Sequence, residues 1–327
     1  MRVLITGGAG FIGSHLAEAY VRRGDDVYVI DDLSTGSLDN LKDIQSHETY
    51  RSRLYVTVDS VMNTEKMIEL VGTCDIVFHL AAAVGVQYIL DNPLSSIITN
   101  VRGTEIVLEL CNKFRKPVLI ASTSEVYGKR IDAPLVETDD CIYGPSTKSR
   151  WSYAASKLID EFTALAYNRT MKLSVVIVRF FNTVGPRQTG RYGMVIPRFV
   201  KQALANDPMT VYGDGSQSRT FTHVIDVVAA LQLLTETAAA NGEVVNIGGV
   251  EEVSILELAR RVKAKVGNSS EIRIIPYAEA YPPDFDDMMR RVPSTAKLKG
   301  LINSVPEMDL DRILDDVIAY YRTSTHV

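Results

Sequence analysis

The stretch Arg2-Val3-Leu4-Ile5-Thr6-Gly7-Gly8-Ala9-Gly10-Phe11-Ile12-Gly13 opens the chain almost at its first residue. An apolar, β-rich run passes without interruption into four glycines, and an apolar-periodic segment follows at Ile12–Arg23. Strand, glycine turn and helix in that order make a dinucleotide-binding entry. Glycine is needed there because the backbone turns tightly and a pyrophosphate must come close to a helix N-terminus. Gly7 and Gly10 shape the turn, Phe11 and Ile12 start the helix, and Gly13 lets helix and strand pack closely. Asp31 ends the second β-rich run, about twenty residues beyond the loop, where an acid grips the adenosine ribose hydroxyls. Its charge repels a 2′-phosphate, so NAD is expected rather than NADP. The bland alternative is that Asp31 and Asp32 merely cap a turn.

Outward from this stretch the rhythm continues. Expected strands are Arg2–Thr6, Val27–Asp31, Leu54–Val58, Ile76–Leu80, Val118–Ser122 and Val175–Arg179, nearly all apolar, as strands buried on both faces must be. Between them lie helical patterns such as Ile12–Arg23 and Ile97–Phe114. The alternation predicts an α/β fold, a Rossmann-type doubly wound parallel sheet. Past Asn182 turn-rich pieces appear, then helical patterns at Ser254–Val266 and Leu310–Tyr321. We therefore expect an NAD-binding domain at 1–181 and a smaller, mostly helical nucleotide-sugar-binding lobe at 182–327, with the chain recrossing between them. Asp59 and Ser60 after the third strand, Leu80-Ala81-Ala82 after the fourth, and Asn100 complete the expected cofactor contacts.

Composition narrows the partners. The 327 residues carry a net charge of −5 with no basic block, which speaks against nucleic acid or an anionic membrane surface. The initial apolar run is too short for a signal-peptide core, and no stretch reaches transmembrane length. Cys74, Cys111 and Cys141 are far apart, without metal-ligand or redox spacing. A cytoplasmic protein with reduced thiols and no metal site is the expectation.

Trp151-Ser152-Tyr153-Ala154-Ala155-Ser156-Lys157 has helical character, and Tyr153 and Lys157, four apart, share one face. A free tyrosine, with a pKa of about 10, is a poor base at neutral pH. A nearby ammonium and the positive nicotinamide ring favour phenolate, and a shift of roughly three units needs about 4 kcal/mol. The expectation is a lowered Tyr153 pKa and removal of a hydroxyl proton while hydride leaves the same carbon. Upstream, Ser122-Thr123-Ser124-Glu125-Val126-Tyr127-Gly128 follows the fifth strand. Its hydroxyls, with Thr123 foremost, are placed to bind the reacting hydroxyl. A capped turn would need Ser or Thr but not Glu125.

These motifs together resemble the extended short-chain dehydrogenase/reductase family, the NAD-dependent epimerases and dehydratases, over essentially the whole chain. Arg179-Phe180-Phe181-Asn182 and Ser218-Arg219-Thr220-Phe221 follow in family order. The resemblance implies a UDP-linked sugar, a 4-keto intermediate, NAD that is regenerated in each turnover, and a homodimer. It carries Asn182 and Arg219 onto the nucleotide diphosphate, with Arg187 and Val195 in the same substrate-binding set. Dehydratases have an aspartate where Ser124 stands, and 4-epimerases usually lack an acid at Glu125. The Ser124-Glu125 pair looks instead like the uronic-acid decarboxylase branch, the UDP-xylose and UDP-apiose/xylose synthases. Gly144–Tyr153 and Asp286-Asp287-Met288-Met289-Arg290-Arg291-Val292-Pro293-Ser294 resemble that branch too, and there Arg291 matches the arginine that meets the sugar carboxylate. A diphosphate or surface role for Arg291 competes almost evenly. Leu298-Lys299-Gly300-Leu301-Ile302 stands where the family often has a Leu-Gly-Trp packing motif. The readings left open are UDP-glucuronate decarboxylation, 4-epimerisation of UDP-glucose or UDP-glucuronate on the same scaffold, and a catalytically idle NAD-binding sensor. The dimer is expected to pair helices near Ile97–Phe114 and Tyr153–Tyr167, with Leu158, Phe162 and Leu165 on one stripe that could equally face its own sheet.

Overall fold

The structure, a computed structural model, describes residues 1–85, 89, 91–132, 134–190, 194–280 and 288–323. Asp286 and Asp287 of the carboxyl-terminal motif lie outside the described residues. Seven strands form one parallel sheet. In chain order they are β1 (Arg2–Thr6), β2 (Asp26–Asp31), β3 (Leu54–Val58), β4 (Ile76–His79), β5 (Val118–Thr123), β6 (Val175–Phe180) and β7 (Val244–Ile247). In space they run β7-β6-β5-β4-β1-β2-β3. β1 sits between β2 and β4, with Ile5 opposite Val29 and Phe78. The order reverses between β1 and β4, which opens a crevice above the carboxyl ends of the strands.

The helices that cover the sheet are α1 (Phe11–Arg23), α2 (Thr64–Thr73), α3 (Pro93–Phe114) and α4 (Arg150–Met171). Strand periodicity divides the core between the two faces. Val3 and Ile5 turn toward Leu16, Tyr20 and Val21 of α1. Leu4 and Ile120 turn toward Met67 of α2, with Val107 and Leu110 of α3 and Ala164 of α4. Each fully buried Leu or Val side chain contributes about 1.5–3 kcal/mol, so both faces stabilise the sheet under the crevice.

The remainder of the chain builds a lobe around α5 (Val195–Leu204), α6 (Val224–Glu236), α7 (Ile255–Val266) and α8 (Leu310–Thr323). Phe199 of α5, Leu258 of α7 and Leu314 of α8 share a separate core. The division at residue 182 is not clean. α6 packs Val227, Leu231 and Leu234 into the core of α1, and β7 pairs with β6 in register Val245 to Val178. The Leu298–Ile302 segment lies in a helix, Ala296–Ile302, whose Leu298 is fully buried in that same core. Among the described residues no helix is long and apolar enough to cross a membrane.

The stripe proposed for dimerisation splits. Leu165 packs on the core beneath α4 and Leu158 on a small cluster beside Tyr127, whereas Phe162 is 61% exposed. The outward face of α4 is instead Ile159 and Phe162, and Leu94, Ile97 and Ile98 are exposed on α3.

Candidate active site

One cleft of about 790 Å³ runs across the carboxyl ends of β1, β2, β4, β5 and β6 and under the lobe. Its first wall is the glycine turn. Gly7 has φ +71°, and a Cβ there would meet the Ala81 backbone nitrogen at 2.8 Å. A Cβ on Gly13 would lie 2.2 Å from the Gly7 carbonyl oxygen. α1 starts on Gly10 with no side-chain cap and no acid in its first turn. Its first N–H groups therefore face the cleft, with the positive end of the helix dipole behind them. A pyrophosphate fits this cradle by chemistry and by space. Gly7, Gly10, Phe11, Ile12, Gly13, Asp59, Leu80, Ala81 and Ala82 all line it.

Asp31 is at the cleft wall but is already engaged. Its Oδ2 accepts from the Ala9 N–H and its Oδ1 from the Leu33 N–H, both at 2.9 Å. Burial raises its carboxyl and these two donors oppose the rise. Asp32 also lines the cleft, is exposed, and caps the Ser34 N–H. Two expected contacts stand behind the wall. Ser60 caps its own turn through the Met62 N–H. Asn100 is buried, accepts from the Ala83 N–H at 2.8 Å and donates to Ser156 Oγ at 3.2 Å. It ties the loop after β4 to α4 instead of lining the cleft.

Further along the cleft, Tyr153 and Lys157 enter from α4 and Thr123 and Glu125 from the end of β5. Thr123 Oγ1 hydrogen-bonds Tyr153 and also accepts the Glu125 N–H at 3.2 Å, so it both meets the tyrosine and caps the turn that aims Glu125. Lys157 Nζ donates to Asp160 Oδ2 at 2.7 Å, with both side chains at most 2% exposed. The expected lowering of Tyr153 is not found in the protein alone. Burial raises the Tyr153 hydroxyl, and the Glu125 and Asp160 charges raise it further, against the pull of Arg291.

Ser124 is fully buried and does not line the cleft, but its Oγ accepts a hydrogen bond from Arg291 Nη2. Arg291 Nη1 stands 3.7 Å from Glu125 Oε1, and Arg150 Nη1 donates to Glu125 Oε2. Arg291 lies on the short strand Arg290–Arg291, paired in parallel with Ser218–Arg219. It lines the cleft with Tyr153 and is buried. Burial raises the Glu125 carboxyl, but the charges of Arg150 and Arg291 outweigh it and hold the group below the ordinary carboxylate range. Sequence reasoning missed Arg150 as a site residue. Its spacing of three from Tyr153 and seven from Lys157 on one helix face was the available signal.

Asn182, Val195 and Arg219 line the lobe side of the cleft. Asn182 donates to the Thr220 carbonyl at 2.8 Å, and Arg219 to the Ser218 carbonyl at 2.8 Å. Arg187 also lines the cleft, but its Nη2 donates to Glu18 of α1 at 2.6 Å. Arg187 and Asn182 both hold left-handed backbone, φ 68° and 36°. Such backbone in non-glycine residues gathers at ligand sites. Here the strap bearing Arg187 crosses onto the helix that starts the glycine cradle. Arg187 thus reaches from the lobe to α1 while lining the cleft. Arg198, Tyr212 and Tyr277 extend the lobe wall and were not foreseen. Arg198 lies over the Tyr212 ring at 4.2 Å from its centroid.

The family described as GDP-mannose 4,6 dehydratase matches residues 4–317. The chain belongs to the extended short-chain dehydrogenase/reductase family. Within it, this enzyme is 41% identical over 98% of both chains to a UDP-N-acetyl-alpha-D-glucosaminuronate decarboxylase of Bacillus cytotoxicus. It is 35% identical to UDP-glucuronic acid decarboxylase 1 of Arabidopsis thaliana, over 98% of this chain and 70% of that one. Among solved structures, a UDP-glucuronic acid 4-epimerase from Bacillus cereus, in complex with UDP-glucuronic acid and NAD, superposes with TM-score 0.87 at 28% identity, covering 98% of this chain and 99% of the other.

Proposed function

We propose that the protein is an NAD-dependent decarboxylase of a UDP-linked hexuronate, and that a 2-acetamido uronate is its preferred sugar. The observation that carries the reaction is the buried group Ser124, Glu125, Arg150 and Arg291 beside Tyr153. The preference for the acetamido sugar is supported by 41% identity to the relative named for it, against 35% for a relative named for UDP-glucuronate.

The Gly7–Gly13 cradle would hold NAD with Asp31 at its ribose, and the bound cofactor would supply the taking of a hydride from carbon 4 and its return. Tyr153 would take the proton of the 4-hydroxyl as phenolate, which the Lys157 ammonium and the positive nicotinamide ring favour against the burial that raises it, with Thr123 beside it to hold that oxygen. The ketone so formed is beta to the carboxylate. The bond from carbon 5 to carbon 6 then breaks, carbon dioxide leaves, and the electron pair flows into the enolate. Arg291 orients the carboxylate before it leaves. Carbon 5 gains one proton drawn from solvent, which Glu125, placed by the turn that includes Ser124, would pick up and pass on, returning to carboxylate. Tyr153 finally returns its proton to oxygen 4, giving a UDP-pentose. Asn182, Val195 and Arg219 hold the nucleotide diphosphate, where a guanidinium fork suits phosphate.

Two copies pair through the outward faces of α3 and α4, since Leu94, Ile98, Ile159 and Phe162 form an apolar face that a monomer would leave wet. The test of substrate is kcat/KM for UDP-glucuronate against UDP-N-acetylglucosaminuronate, with the pentose product identified by mass. A higher value for the acetamido sugar supports the preference, and equal or reversed values remove it.

A further inference from the structure

The Lys157–Asp160 pair lies at the end of a buried polar chain that the reaction above does not use. Asp160 is hydrogen-bonded by Thr104 of α3. Thr104 Oγ1 lies 3.1 Å from His79 Nε2, and His79 Nδ1 lies 2.8 Å from Thr6 Oγ1. Thr6 Oγ1 in turn accepts the Ala81 N–H at 3.1 Å. Burial, helped by the Lys157 charge, pushes His79 down to about 3, so it is neutral. One assignment then satisfies every member: Thr6 donates to Nδ1, Nε2–H donates to Thr104, and Thr104 donates to Asp160. In this assignment the donors converge on Asp160, whose carboxyl burial raises while Lys157 and Thr104 pull it back toward the ionised form.

A lysine ammonium has three donors. One is fixed on Asp160, which leaves two for the cleft that Lys157 lines. The carboxylate also sits in the same low-dielectric region as Tyr153, where it opposes phenolate. We infer that Asp160 is a positioning residue for the oxidation step: it fixes the Lys157 ammonium at the cleft wall and, by offsetting that charge, sets the pH at which Tyr153 gives up its proton. The inference rests on Tyr153 and Lys157 as the oxidising pair and not on the later fate of the sugar.

The other charges facing Tyr153 are accounted for. Glu125 at the end of β5 opposes phenolate but is itself paired with Arg150 of α4 and lies near Arg291. Arg291, from the short strand at the lobe, favours phenolate. Glu161, next to Asp160, is held by Arg179 of β6 at 2.7 Å. Among the described residues, Asp160 is therefore the acid paired in a salt bridge with the lysine that should activate the tyrosine.

The experiment is the pH profile of kcat/KM for the holoenzyme on UDP-glucuronate and UDP-N-acetylglucosaminuronate. It compares the wild type with Asp160→Asn and Asp160→Ser, two neutral replacements that keep a partner for Lys157, and with Asp160→Glu, which keeps the charge. Activity rises with pH as Tyr153 loses its proton. Removing the negative charge favours phenolate, so both neutral variants should move that rising limb to lower pH by roughly one unit, while Asp160→Glu leaves it in place. Lower activity with an unmoved limb shows a structural role only and overturns the inference, and a limb moved to higher pH overturns it as well. Should Asp160→Asn fail to fold, the serine variant carries the same comparison. A wild type that oxidises neither of these sugars nor UDP-glucose at carbon 4 removes the oxidising-pair reading and the inference with it. A wild type that is active while its variants keep its limb removes the inference alone.

Discussion

Arg291 and Ser124, 167 residues apart in the chain, are joined by a buried hydrogen bond from guanidinium to hydroxyl. The contact brings the lobe's short strand onto the turn after β5. It fixes the guanidinium next to Glu125 and at the cleft, where a sugar carboxylate would meet it. Replacing Arg291 by Gln should lower the rate of carbon dioxide release by about 10²–10³-fold, the range seen when one fixed donor to a reacting oxygen is lost. Oxidation at carbon 4 should suffer less. The check is a rapid-mixing comparison of nicotinamide reduction, read by absorbance, with carbon dioxide release. Equal losses in both steps would place Arg291 in binding alone.

Glu125 is a largely buried acid whose charge the fold stabilises. Its folded pKa is depressed, so its contribution to stability is present above the ordinary carboxylate range and is lost as pH falls through the folded value. Thermal unfolding followed from neutral to acid pH should show that loss in the wild type and a flatter acid slope in Glu125→Gln. Arg150→Met strips the direct hydrogen-bonding partner from the buried carboxylate. It should cost about 3–5 kcal/mol in denaturant unfolding. A cost under 1 kcal/mol would mean that Arg291 alone suffices as counter-ion.

Gly13→Ala should empty the cradle. The added methyl would lie 2.2 Å from the Gly7 carbonyl oxygen, and backbone must move to admit it. The variant should purify with little nicotinamide nucleotide, measured as nucleotide released on denaturation, and its melting temperature should no longer respond to added NAD. Nucleotide content equal to that of the wild type would contradict the assignment of the loop.

Phe162→Asp places a charge on the exposed apolar face of α4. Analytical ultracentrifugation should find a dimer for the wild type and a monomer for the variant. A wild-type monomer contradicts the proposed pairing outright.

Much of the sheet was legible because its strands are nearly continuous apolar runs bounded by polar turns. β1 to β6 each end within one residue of the expected bounds. β7 was not legible. It has four residues, one of them Asn246, whose side chain accepts from the Tyr127 hydroxyl and donates to the Leu135 carbonyl. A polar residue in a short run after the lobe begins carries no strand periodicity of its own. The glycine turn and the Tyr153–Lys157 face could be read because local geometry dictates them. Arg150 as partner of Glu125, and Asp160 as partner of Lys157, could not. An acid three residues from a lysine on a helix usually marks a solvated pair, and only the packing of α3 and β4 over α4 shows this one to be dry. The placement of Arg187 on Glu18 needed the fold for the same reason, since the two come from opposite halves of the chain.

The most direct measurement is the stoichiometry of carbon dioxide released per UDP-hexuronate consumed by the purified enzyme, with the nucleotide product identified. Decarboxylation through Tyr153, Glu125 and Arg291 predicts one carbon dioxide and one UDP-pentose for each UDP-hexuronate lost, and none of either from Tyr153→Phe. A product that keeps its carboxylate and differs only in configuration at carbon 4, with no carbon dioxide, would contradict it.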